Sequence, residues 1–112
     1  MKEIEELQQK YRQFIQERDW DRFNTPKNLA AALSIEASEL LEVFLWLSDN
    51  QPLTPARLQN AQDELADVFL YLLRLADALN IDPIAAAHSK FAKIIEKYPI
   101  EKSRELAKSF DI

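Results

Sequence analysis

The chain has 112 residues with neither cysteine nor glycine and a formal charge of -5, a length that suits one domain, expected here over residues 1–112. The charge argues against sequence-independent binding to a nucleic acid polymer, which needs a basic surface, and without glycine neither a phosphate-cradling loop nor a dinucleotide fingerprint can form. The opening "MKEIEELQQK" is charged rather than leader-like and runs such as "VFLYLL" are too short to span a bilayer, so a cytoplasmic chain with no membrane partner is expected.

An amphipathic segment predicts a first helix over about residues 2–19. Proline then marks the starts of three more. Thr25, Thr54 and Asp82 each precede a proline, the pattern of an N-cap followed by proline at the first helical position. The expected helices run over about 26–48, 55–79 and 83–97, with a short fifth near 100–109. Asn50 and Asn80 stand where a left-handed closing residue belongs. The fold class is therefore all-α, a four-helix bundle. Leu41, Phe44, Leu45 and Leu47 on the second helix, and Phe69, Leu70, Leu72 and Leu73 on the third, leave two apolar faces per helix. One face serves the core and the other a second subunit, so a homo-oligomer is expected.

The second and third helices also carry acids inside their apolar stripes. With Glu36 at zero and successive residues turning by about 100°, Leu29, Leu40, Val43 and Leu47 all fall within about 40° of it. Glu39 lies at the stripe's margin and Glu42 toward the polar side. Glu64 is flanked in the same way by Val68, Tyr71 and Leu75, with Asp67 one turn later at the edge. An isolated glutamate on an amphipathic helix is usually solvated or salt-bridged. Two pairs on neighbouring helices are different: Arg57 and Arg74 near the second pair, and Lys27 near the first, are the few cations at hand. Converging carboxylates repel, and a hard divalent ion relieves the repulsion, because carboxylate oxygens are the ligands magnesium prefers. Magnesium keeps part of its shell for water and substrate phosphate, so Mg2+ implies a phosphorylated small molecule. An EF-hand loop is absent. A di-iron bundle needs two Glu-x-x-His motifs, whereas His88 is the only histidine and is expected on a helix surface or in packing rather than as a ligand.

Glu36-x-x-Glu39 followed by Glu64-x-x-Asp67, together with "RDWDRFNTPKNL", "DELADVFLYLL" and "SKFAKIIEKYP", resembles the MazG-like all-α nucleoside triphosphate pyrophosphohydrolases, in particular their small dCTP pyrophosphatase-like branch. The likeness covers about residues 18–99. It implies the bundle of that family, built as a homodimer or a dimer-of-dimers tetramer, and magnesium-dependent cleavage of a nucleoside triphosphate, such as dCTP, to the monophosphate and pyrophosphate in nucleotide-pool cleaning. By position, Glu36, Glu39, Glu64 and Asp67 are the implied metal ligands. Glu39 is also the implied catalytic glutamate, which orients or deprotonates the attacking water. Trp20, Trp46 and Tyr71 match aromatics at the base and sugar, and Lys90, Lys97 and Tyr98 match the fourth-helix motif at phosphate or a neighbouring subunit. Lys27 in "PKNL" completes the implied substrate contacts with Asn24, which stands where the branch tends to have histidine. Ile94, Ile35 and Ser38 also depart from common family residues, so base preference does not transfer. The rival expectations are a dUTP or diphosphate hydrolase of a related all-α fold, and a non-catalytic helical interaction module.

Overall fold

The computed structural model describes residues 2–110, so residues 1 and 111–112 of the expected domain lie outside the described residues. Five α-helices follow one another: α1 Lys2–Glu17, α2 Pro26–Phe44, α3 Pro55–Ala78, α4 Pro83–Lys97 and α5 Ile100–Ser109. A short 3-10 turn, Asp21–Phe23, separates α1 from α2, and no strand occurs among the described residues. The all-α class expected from periodicity is what the chain forms.

The three proline-marked starts form by the anticipated mechanism. Thr25 Oγ1 accepts from the Asn28 N–H and Thr54 Oγ1 from the Arg57 N–H, each at 3.2 Å. Asp82 accepts from both Ile84 and Ala85 at 3.0 and 3.1 Å. Each cap satisfies donors that a first helical turn otherwise leaves unpaired.

Helix ends diverge more from expectation. Asn80 closes α3 with φ of 59°, its N–H bonding to Asp77 O at 3.1 Å while the Ile81 N–H reaches back to Ala76 O at 2.8 Å. This is the Schellman arrangement, with asparagine in the role usually taken by glycine. Asp19, at φ 55°, closes α1 in the same way, through Asp19 N–H to Gln16 O and Trp20 N–H to Ile15 O, both 3.1 Å. Asn50 does not take up the left-handed conformation. Helix α2 ends at Phe44, short of the expected residue 48, because the Leu47 N–H bonds Phe44 O at 2.9 Å and tightens the chain into a turn. Ser48, Asp49, Asn50 and Pro52, all turn formers, then prevent the helix from resuming.

The chain divides into two compact units, one ending at Ile81 and one beginning at Asp82. In the first, α2 and α3 share the most extensive contact and α1 also packs on α3. Asn24, just before α2, meets Arg74 late in α3, whereas Glu36, further along the chain, meets Glu64 and Asp67 earlier in α3, so α2 and α3 are antiparallel. Ile15, Leu29, Leu73 and Ala76 are the buried apolar residues, and the polar Gln8 is buried with them. That is a thin core. Leu41, Phe44, Phe69 and Leu72 remain exposed on the same helices, as does Leu45 at the C-cap of α2. The second unit consists of α4 and α5, and none of its described residues is buried.

Candidate metal centre

Helix α2 delivers Glu36 and α3 delivers Glu64 and Asp67 to one place, where a carboxylate oxygen from each lies within 4.8 Å of the other two. Glu36 and Glu64 are half-buried and Asp67 is exposed. The i, i+3 spacing of Glu64 and Asp67 puts both on one side of α3, and antiparallel packing brings Glu36 opposite them. Glu36 Oε2 and Glu64 Oε2 are buried without a hydrogen-bond partner. No arginine or lysine forms an ion pair with these acids among the described residues.

The electrostatic consequence is visible in both glutamates. Glu36 is pushed above the ordinary value of 4.5, first by local desolvation, then by its neighbour Glu39, and then by Asp67 and Glu64. Glu64 is pushed up in the same sense by desolvation, Glu39, Asp67 and Asp63. Glu39 is thus an electrostatic neighbour of the cluster, though it stands exposed and outside the three converging ligand atoms. Buried, unpartnered carboxylate oxygens held close together without cations suit a hard divalent ion: its charge removes the repulsion and its shell occupies the orphaned lone pairs.

The remaining expected site residues are spread over both units. Tyr71 is half-buried on α3, with its ring centre 4.9 Å from the Arg74 guanidinium carbon. Asn24 is half-buried after the 3-10 turn, and its Oδ1 already accepts from Arg74 Nη2. Trp20 is 43% exposed and packs edge-on against Phe14, 5.5 Å between ring centres. Trp46 falls within the expected helix span of about 26–48 but lies past the end of α2 and is 88% exposed, so the helical register does not carry it toward the acids. Lys27 is exposed. In the second unit Lys90, Lys97 and Tyr98 are exposed, with Lys97 Nζ 5.5 Å from the Tyr98 ring centre.

A cleft of about 180 Å3 opens between α1, the 3-10 turn and α3, lined by Tyr11, Asn24, Leu70, Arg74 and Asp77 among others. Neither tryptophan lines it. Tyr11 was not singled out from the sequence, and Arg74 only as a partner for Glu64 and Asp67, which it does not meet. The signal that finds Arg74 is its position as a lone cation between Leu73 and Leu75, on the apolar side of α3.

The MazG-like family matches residues 31–111, which include all four acids of the two motifs. The chain is 37% identical over 105 residues to dCTP pyrophosphatase 1 of Mus musculus, covering 90% of this chain and 62% of that protein. With dCTP pyrophosphatase 1 of Homo sapiens it is 33% identical over 111 residues, covering 96% of this chain and 65% of that one. It thus spans less than two thirds of the length of these relatives. A crystal structure of a pyrophosphatase from Archaeoglobus fulgidus DSM 4304 superimposes with a TM-score of 0.74 at 38% identity, over 87% of this chain and 93% of that one. Fold, acidic spacing and sequence agree: this chain belongs to the MazG-like family.

Proposed function

We propose that the chain is a nucleotide pyrophosphohydrolase that cleaves a nucleoside triphosphate, with dCTP the leading candidate, to the monophosphate and pyrophosphate. The observation that carries this reading is the cluster of Glu36, Glu64 and Asp67, whose two buried, unpartnered oxygens suit a divalent cation and meet no lysine or arginine among the described residues. The names of the curated relatives and of the structural neighbour support the same chemistry.

In this reading Glu36, Glu64 and Asp67 would hold Mg2+, which when bound would supply charge neutralisation at the phosphates and make a water more acidic. Glu39, exposed beside them, would orient the attacking water or take its proton, and Glu42 is not part of the site. Tyr71 and Asn24 contact the nucleoside with Trp20, Trp46 and Lys27 as outer contacts, while Lys90, Lys97 and Tyr98 serve phosphate or a neighbouring subunit. Both compact units belong to one MazG-like domain, as the family match running through both supports. A homodimer or dimer-of-dimers tetramer covers the exposed apolar residues of α2 and α3. The setting is the cytoplasm, in nucleotide-pool cleaning.

Pyrophosphate release from a panel of nucleotides that includes dCTP, dUTP and a diphosphate, with magnesium and with chelator, tests the reading. Release from a triphosphate in magnesium alone is the expected result. No release from any nucleotide leaves an interaction module, and preference for dUTP with release from the diphosphate leaves the related hydrolase.

A further inference from the structure

Arg74 sits half-buried on α3 and lines the cleft between α1 and α3. Its guanidinium lies over two tyrosine rings, 5.2 Å from the centre of Tyr11 and 4.9 Å from that of Tyr71. Of the five N–H donors that an arginine carries, one on Nη2 goes to Asn24 Oδ1 and one on Nη1 to the Tyr11 hydroxyl at 3.4 Å. Nε is buried without any acceptor. No carboxylate pairs with this cation among the described residues, because the nearby Asp77 is engaged by Arg12 at 2.5 and 2.6 Å. A partly buried guanidinium with donors to spare and no counter-charge lacks an acceptor partner.

The position of Arg74 relates that gap to the acids. It follows Asp67 by seven residues, which on a helix is about 10 Å of rise and within about 20° of the same face. A nucleotide whose phosphates lie at the carboxylate cluster has its base about that far away. The cleft, at about 180 Å3, is smaller than the roughly 300–1,000 Å3 that encloses a whole ligand of that size. It suits a single ring, beside Tyr11, Asn24 and the Arg74 guanidinium that line it.

Resting on the pyrophosphohydrolase reading, we infer that Arg74 is a specificity-determining residue that reads the acceptor edge of the base, selecting cytosine over adenine. Cytosine presents two neighbouring acceptors, N3 and O2, to a forked donor. Adenine sets its 6-amino donor beside N1 on one edge and beside N7 on the other, and that donor opposes a guanidinium N–H; its N3 has no second acceptor next to it that matches the O2 of cytosine. Asn24 and the Tyr11 hydroxyl hold the fork in place, and the rings of Tyr11 and Tyr71 support its plane. The outcome is discrimination without a glycine loop or a histidine.

Steady-state cleavage of dCTP and dATP by wild type, Arg74→Gln and Arg74→Lys, with thermal unfolding of each, tests the assignment. The expected result is that the wild type prefers dCTP, and that both variants lose about tenfold or more of that preference, the scale of one bidentate base contact, mainly by a fall in kcat/KM for dCTP. Equal losses on both nucleotides overturn it, because a phosphate contact or a purely structural role acts alike on every base. Full retention of the preference by Arg74→Lys also overturns it, since charge without the fork would then suffice. If the wild type releases no pyrophosphate from either nucleotide, the hydrolase reading falls by itself. Calorimetric binding of the α,β-imido analogues of dCTP and dATP to wild type and Arg74→Lys then decides the base assignment: an affinity gap that the variant loses upholds it, and equal affinities in the wild type overturn it.

Discussion

The raised Glu36 and Glu64 carboxyls make the metal-free chain sensitive to pH in a defined direction. A carboxyl whose folded pKa exceeds its unfolded value favours the folded state while protonated, and that contribution is lost as pH rises from the unfolded value through the folded one. Metal-free protein should therefore lose thermal stability as pH climbs above 4.5, the ordinary value of both groups, and Glu36→Gln should flatten that slope. Because metal competes with protons for the same oxygens, the magnesium-induced rise in Tm should grow over the same pH range. An identical melting curve in magnesium and chelator at every pH would remove the ion from the cluster. Kinetics sharpen the roles: Glu39→Gln and Asp67→Asn should each lower turnover about a hundredfold with helicity retained. Glu42→Gln should have little effect, and a loss as large as that of Glu39→Gln would show that the facing of α2 is misassigned.

At the scale of elements, the starts of helices were readable from the sequence and several of their ends were not. A proline with Thr25, Thr54 or Asp82 before it encodes its geometry locally, through one fixed φ and one side-chain acceptor. An end depends on which residue can enter the left-handed region, and without glycine that choice falls among several polar residues: Asn80 and Asp19 enter it while Asn50 does not. Helical angle places Glu36 within the stripe of α2 and Glu64 and Asp67 on one side of α3, but it is the packing of the two helices that brings these three together and leaves Glu39 outside the converging atoms. Trp46 was misplaced because the same angle was extended beyond Phe44, where the helix has already ended. The Arg74 cleft was not readable, since it depends on α1 crossing α3 and bringing Tyr11 from 63 residues away. Two element-scale outcomes follow. Asp82→Ala should lower stability by about 1 kcal/mol through loss of the α4 cap. Asn80→Gly should be close to neutral whereas Asn80→Val is destabilising, because only a residue tolerant of positive φ closes α3 without strain. Chemical denaturation of the three variants checks both.

For the whole molecule the governing quantity is how little of the apolar surface the chain covers by itself. Ile15, Leu29, Leu73 and Ala76 are buried, while Leu41, Leu45, Leu65, Phe69, Leu72, Phe91 and Ile95 stand exposed. Exposed apolar surface on that scale favours association, and a chain stabilised by association melts at a temperature that rises with its concentration. Sedimentation at micromolar concentration should therefore give a multiple of the 13.0 kDa chain mass, and Leu41→Glu with Leu72→Glu should move the mass toward the single chain. A monomer in the wild type, with Tm independent of concentration, would assign the exposed stripes to something other than a second copy.

The 88% exposure of Trp46 gives the chain an optical handle. An indole bathed in water emits at long wavelength and is open to collisions with a neutral quencher such as acrylamide, whereas Trp20, edge-on against Phe14, is partly shielded. Substituting Trp20 by phenylalanine leaves Trp46 as the only indole emitter. Its spectrum then reports in real time whatever comes to lie over it: protection that disappears on dilution belongs to another subunit, and protection that appears only on adding nucleotide and metal belongs to the ligand. Stopped-flow mixing of the single-tryptophan chain would time each event separately, without a label.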